Sequence, residues 1–150
     1  MAAGHSYRLW SKGTQAQLAD FRIPELLEAD LTNLVLDMQV WGKKDIRSMT
    51  WLNPPPLNSL VSAEKVLEAI EALDQGQLTP HGKELHQVPA HPRIAHMLVY
   101  AKKANLLPLA TDIAAILEEK DPLASQAGVD LNLRIEGLRR FRGQVNGAFA

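Results

Sequence analysis

The chain has 150 residues, 46% of them hydrophobic, and 16 Lys plus Arg stand against 17 Asp plus Glu for a net charge of −1. A chain of this length buries roughly 70% of the surface its unfolded form exposes, enough for one domain or two small subdomains sharing a core. Zero cysteine excludes disulfides and thiolate metal sites, no apolar run approaches the roughly 20 residues that span a bilayer, and the start MAAGHSYRLW lacks a signal peptide's basic and apolar regions, so a cytoplasmic protein is expected.

Residues 7–10 (Tyr-Arg-Leu-Trp) are predicted to form a short strand with nothing local to pair with. A helix is predicted from Pro24, since proline is tolerated at the first helical position. Its apolar face would be Leu27, Leu31, Leu34, Val35, Met38 and Trp41, with Gly42 as the stop. Pro54, Pro55 and Pro56 forbid helix and fix an extended turn. The next helix is predicted over 59–73, with Ala63, Val66, Leu67, Ile70 and Leu73 on one side. Asp74-Gln75-Gly76 turns the chain, Gln77-Leu78-Thr79 reads as a wing strand, and Thr79-Pro80 caps a short helix to about Gln87.

His91-Pro92 repeats that cap-and-proline pattern. The helix after it would use Ile94, Met97, Leu98 and Ala101. Another begins near Pro108 and carries Ile113, Ala114 and Leu117. Asp121-Pro122 or Asp130 caps a last one bearing Leu131, Ile135, Leu138 and Phe141, and the tail from Gly143 is expected to fray. The expected fold is mainly α: a winged-helix-like subdomain over 20–90, then a helical bundle over 91–142, with 143–150 as a flexible tail.

Charge is unevenly spread. Residues 20–37 hold Asp20, Glu25, Glu28, Asp30 and Asp37 against Arg22, a net −4. Residues 81–103 hold Lys83, Arg93, Lys102 and Lys103 against Glu84, and residues 134–142 hold Arg134, Arg139, Arg140 and Arg142 against Glu136, each a net +3. Solvated helix faces explain any one of these charges. Two basic stretches in the second half point instead to Arg93, Lys102, Lys103, Arg134, Arg139, Arg140 and Arg142 as candidate nucleic-acid contacts.

Other motifs lead nowhere. Gly76 to Glu84 has five residues between its glycines and Glu after Lys83, where a phosphate-binding loop needs four and Ser or Thr. Gly82 is better read as a close backbone contact. His81, His86, His91 and His96 recur every five residues, about 140° apart on a helix, so they do not share a face as metal ligands would. Capping or packing is expected of each. Ser48, Ser59, Ser62 and Ser125 lack the Gly-x-Ser-x-Gly elbow. No catalytic residue, metal site or cofactor is expected in this chain. The helix at 59–73 exposes Glu64, Lys65, Glu68 and Glu71, a net −2 that would repel duplex phosphates.

Several stretches together resemble one family. They are GHSYRLWS at 4–11, the helix at 23–42 ending in Trp-Gly, and WLNPPP at 51–56, with Asn53 where the family has Asp. ALDQGQLTPHG and VPAHPRIAHML follow within 72–98, then LEEKDPL at 117–123 and DLNLRIEGLR at 130–139. This wording resembles the region after the motor domains of DEAH/RHA ATP-dependent helicases, bacterial HrpB type. The resemblance implies that 1–19 is a remnant of, or linker from, a RecA-like domain. It also implies a winged helix acting as hinge and scaffold, and a ratchet bundle beside the channel for a single strand. Partners would be the two RecA-like motor domains and single-stranded RNA or DNA, with self-association through the N-terminal strand as a further expectation. ATP and Mg²⁺ would belong to the parent helicase, and this chain to a truncated or excised part of it. The alternative is a protein–protein adaptor using the acidic 20–37 and 59–74 surfaces, without nucleic acid.

Overall fold

Side chains that capture free backbone N–H groups mark where several of the helices begin. The computed structural model describes residues 4–19, 21–43, 45–119, 121 and 128–148, with the side chains of 144–148 left aside. Asp20, Pro122, Ser125, the Lys120 and Leu123 of the 117–123 stretch, and the outermost residues of the expected remnant and tail lie outside the described residues. Helix α1 spans Lys12–Gln17, with Ser11 Oγ accepting from the Thr14 N–H at 3.0 Å. No residue of α1 is buried. Residues 7–10 form no strand, because among the described residues no other strand lies beside them to complete a ladder.

The predicted helix from Pro24 is instead two pieces: a 3₁₀ turn over Glu25–Leu27 and helix α2 over Thr32–Val40. Asp30 makes the break. Its carboxylate accepts from the Thr32 N–H at 2.8 Å and from the Thr32 hydroxyl, a local bond that competes with helix continuation. Gly42, at φ +78°, ends α2 as expected, and the Lys43 N–H closes back onto the Met38 carbonyl. After a second 3₁₀ turn at Ile46–Ser48, Pro56 leads into helix α3, Leu57–Ala69, which starts and stops a little earlier than the sequence suggested. Strands β1 (Leu73–Asp74) and β2 (Gln77–Leu78) form an antiparallel hairpin, Leu73 opposite Leu78, around Gln75 and Gly76 at positive φ. This is the wing.

Helix α4, Pro80–His86, is capped by Thr79 Oγ1 at 2.9 Å from the Gly82 N–H, and Gly82 sits where a Cβ would come within 2.3 Å of the Ala72 carbonyl oxygen. Close backbone approach fixes glycine there. Helix α5 spans Pro92–Lys103 and α6 Leu107–Glu118. The last helix, α7, spans Leu131–Ala148 and starts at Asp130, whose carboxylate accepts from the Asn132 N–H at 2.8 Å. It runs on through Gly143, where fraying was expected.

The core joins Leu31, Val35, Leu36 and Met38 of the α2 region to Leu60, Ala63 and Leu67 of α3, Ala72 and Leu73 of the hairpin, Leu85 of α4, and Ala95 and Val99 of α5. The α5 face is turned from the predicted one, leaving Ile94, Met97, Leu98 and Ala101 half-buried. Trp41, Leu117 and Phe141, each assigned to an inner face by spacing, are exposed. The arrangement is mostly helical, a winged-helix-like unit followed by a helical bundle, with α5 packed on α4 and α6, and α6 on α7.

Candidate nucleic-acid interface

The seven basic candidates fall on two helices and divide by what holds them. Arg93 lies in the first turn of α5 and lines a cleft of about 430 Å³ together with Glu28, Asp30, Asn58 and Ser62. Lys102 and Lys103 lie exposed in the last turn of α5, where positive charge complements the helix dipole. The Lys103 Nζ stands 5.3 Å from the centre of the Tyr100 ring. Among the described residues none of these three is in an ion pair.

The arginines of α7 are all engaged. Arg134 is 12% exposed and bonds both oxygens of Asp121 through Nε at 3.1 Å. Its other nitrogens reach the Asp130 carbonyl at 2.9 Å and the Gly128 carbonyl at 2.7 Å. So saturated a guanidinium ties the start of α7 to the segment before it and has little left for a phosphate. Arg140 pairs with Glu136 one turn back at 3.6 Å. Arg139 and Arg142 converge on one carboxylate, Asp112 of α6. Arg139 Nε lies 3.7 Å from its Oδ2, and Arg142 Nη1 donates to its Oδ1. Asp112 is 6% exposed at its side chain, while Arg139 and Arg142 stay 59% and 54% exposed.

The histidines are structural, as the sequence suggested, yet they do more than cap. His91 Nδ1 accepts from the Arg93 N–H at 3.3 Å while its Nε2 faces Asp30 at 3.4 Å, so one ring serves as helix cap and as a link to α2. His86 Nε2 lies 3.1 Å from Asp37 of α2. His81 and His96 meet through Nε2 and Nδ1 at 3.0 Å, from α4 and α5, and both pack against Tyr100, His81 edge-on and His96 tilted. Helical spacing could not show this, because the two rings come from different helices. Burial, then the neighbouring His96 and Lys103, push the His81 pKa below its ordinary 6.5. Asp30 is held below 3.8, chiefly by the Thr32 hydroxyl. The Tyr100 hydroxyl donates to Glu71 at 3.0 Å, and that bond raises its pKa.

The Gly82 N–H is taken by Thr79 and its open side is filled by a carbonyl oxygen, so no cradle for a phosphate exists there. Among the described residues no group of three His, Asp or Glu could hold a metal ion, and no helix is long and apolar enough to cross a membrane. Helix α3 exposes Glu64, Lys65 and Glu68, with Glu71 just beyond it. Asp112 and the Tyr100–Glu71 pair carry no signal in the sequence; only the packing of elements distant in the chain brings them to the basic residues.

Residues 91–145 match the family described as helicase associated domain (HA2), ratchet-like. The chain is 36% identical over 116 residues to the ATP-dependent RNA helicase HrpB of Escherichia coli K12, which covers 77% of this chain and 14% of that protein. It is 32% identical over 124 residues to the DExH-box ATP-dependent RNA helicase DExH2 of Arabidopsis thaliana, covering 80% of this chain and 8% of that one. The crystal structure of the Escherichia coli DEAH/RHA helicase HrpB superposes with a TM-score of 0.73 at 32% identity, over 84% of this chain and 16% of that chain. The chain thus spans about a seventh of the length of the bacterial relative.

Proposed function

Since the chain belongs to the helicase-associated, ratchet-bearing region of the DEAH/RHA helicases, we propose that it steers a single strand of RNA or DNA and couples that strand to RecA-like motor domains. ATP hydrolysis would then lie in those domains. The observation that carries this reading is the division of charge. Arg93, Lys102 and Lys103 stand on α5 without an ion pair among the described residues, and α7 adds half-exposed arginines, while α3 carries acid outward. A strand attracted by such cations binds weakly and with little sequence preference, and its affinity falls as salt rises. Tyr100 and Phe141 are exposed near the cations, but two such rings add little base stacking.

The test is fluorescence anisotropy of labelled oligouridine against the whole chain over a salt series. The triple variant Arg93→Ala, Lys102→Ala, Lys103→Ala disturbs no ion pair recorded among the described residues, so lost binding would report lost phosphate contacts. We expect weaker binding and a shallower salt slope, with Glu64→Gln, Glu68→Gln and Glu71→Gln together causing no weakening. A basic-residue variant that binds like the parent chain would refute strand steering through α5. The acidic α2–α3 side, as a protein adaptor, would then be the better account.

A further inference from the structure

The pairing at Asp112 sets two needs against each other. The carboxylate is buried between α6 and α7, and it takes Arg139 on one oxygen and Arg142 on the other. Positions three apart on a helix share a face, so the two guanidiniums sit side by side. Each keeps more than half its surface in water. A carboxylate gripped by two arginines has the charge and the geometry of a phosphodiester gripped by the same pair.

We propose that Asp112 is an internal stand-in for a nucleic-acid phosphate, holding Arg139 and Arg142 in place when no strand is bound and competing with the strand for them. This rests on the strand-steering reading above. In the resting chain the trio carries a net charge of +1, from two guanidiniums and one carboxylate. The neighbouring Arg140 is offset by Glu136. Part of the α7 charge is thereby spent internally, and a phosphate that binds there draws guanidinium donors away from the α6–α7 seat. Asp112 is a positioning residue, since it acts through the two arginines.

Asp112→Asn keeps the size and one acceptor oxygen, so α7 stays seated, which helical circular dichroism checks. With one more free positive charge, oligouridine should bind Asp112→Asn roughly 5- to 10-fold tighter at about 50 mM salt, with a salt slope steeper by about 0.7. In an Arg139→Ala, Arg142→Ala background the same Asn substitution should change nothing. An equal gain in that background would mean bulk charge and would overturn the proposal. So would no gain in the otherwise native chain, while native binding that remains sensitive to Arg93, Lys102 and Lys103 would leave the strand reading standing. If neither chain binds oligouridine at low salt, both readings fall. A measurement on the native chain guards against an Asn variant that misfolds: in ¹⁵N-arginine spectra, oligouridine should shift the Nε–H signals of Arg139 and Arg142 and leave Arg134 in place. Unmoved Arg139 and Arg142 signals would overturn the proposal.

Discussion

The winged-helix side and the α6–α7 pair are held together by different forces. From α2 to α5 a continuous apolar core is buttressed at its rim by histidine contacts: His86 with Asp37, His91 with Asp30, and His81 with His96. Between α6 and α7 the buried residues among those described are few, Ala110, Asp112 and Ile135, and Asp112 of α6 is paired with Arg139 and Arg142 of α7. Apolar burial is not screened by salt as charge pairs are, and it sets the larger share of stability. Half-exposed ion pairs are screened by salt and each contributes little. One side is therefore suited to serve as a scaffold. The other holds its helix with charges that, on the reading proposed above, a strand would also use.

The contrast can be broken at its strongest point first. Leu67 is wholly buried in α3, and Leu67→Ala should destabilise the fold by about 2–5 kcal/mol, read as a lowered urea midpoint. Gly82→Ala should act in the same direction by about 1–3 kcal/mol or more, because the new methyl meets the Ala72 carbonyl oxygen at 2.3 Å. Asp112→Ala comes next. Its arginine partners can reach water, so the loss should be about 1–2 kcal/mol, smaller than for a fully enclosed pair. Hydrogen exchange should speed up in α7 and not in α3. Equal acceleration in both helices would mean that the two sides are not held separately.

Acid sharpens the comparison further. His81 has a folded-state pKa below its ordinary 6.5, so the unfolded chain binds that proton more readily. Stability from this group is complete above about 6.5 and declines as pH falls below it toward the folded value. His81→Gln should flatten that part of the pH dependence of the melting temperature. An unchanged slope would remove His81 as its source. The smallest effect belongs to the N-terminal arm, where Tyr7, Leu9 and Phe21 are exposed and α1 buries nothing. Mild trypsin should trim at Lys12 and leave a fragment whose stability is within about 0.5 kcal/mol of the intact chain.

What the sequence revealed follows from how local each signal is. Gly42, the Asp74-Gln75-Gly76 turn, Thr79-Pro80 and His91-Pro92 act within a few residues of themselves, and each was legible. The break at Asp30 was missed because the apolar spacing continues across it, and a side chain bonded to Thr32 overrode the pattern. Residues 7–10 alternate like a strand, but a strand exists only beside another. The basic residues were legible as a set, whereas their division into free and engaged was not. Asp112 lies 27 and 30 positions before its two arginines, and nothing in the spacing of α6 or α7 announces the meeting.

The most direct measurement is a hydrogen-exchange footprint of the whole chain with and without saturating oligouridine at low salt. The account predicts slowed exchange near the two ends of α5 and along α7, with α2 and α3 unchanged. Protection centred on the acidic faces of α2 and α3, or protection nowhere, would contradict it.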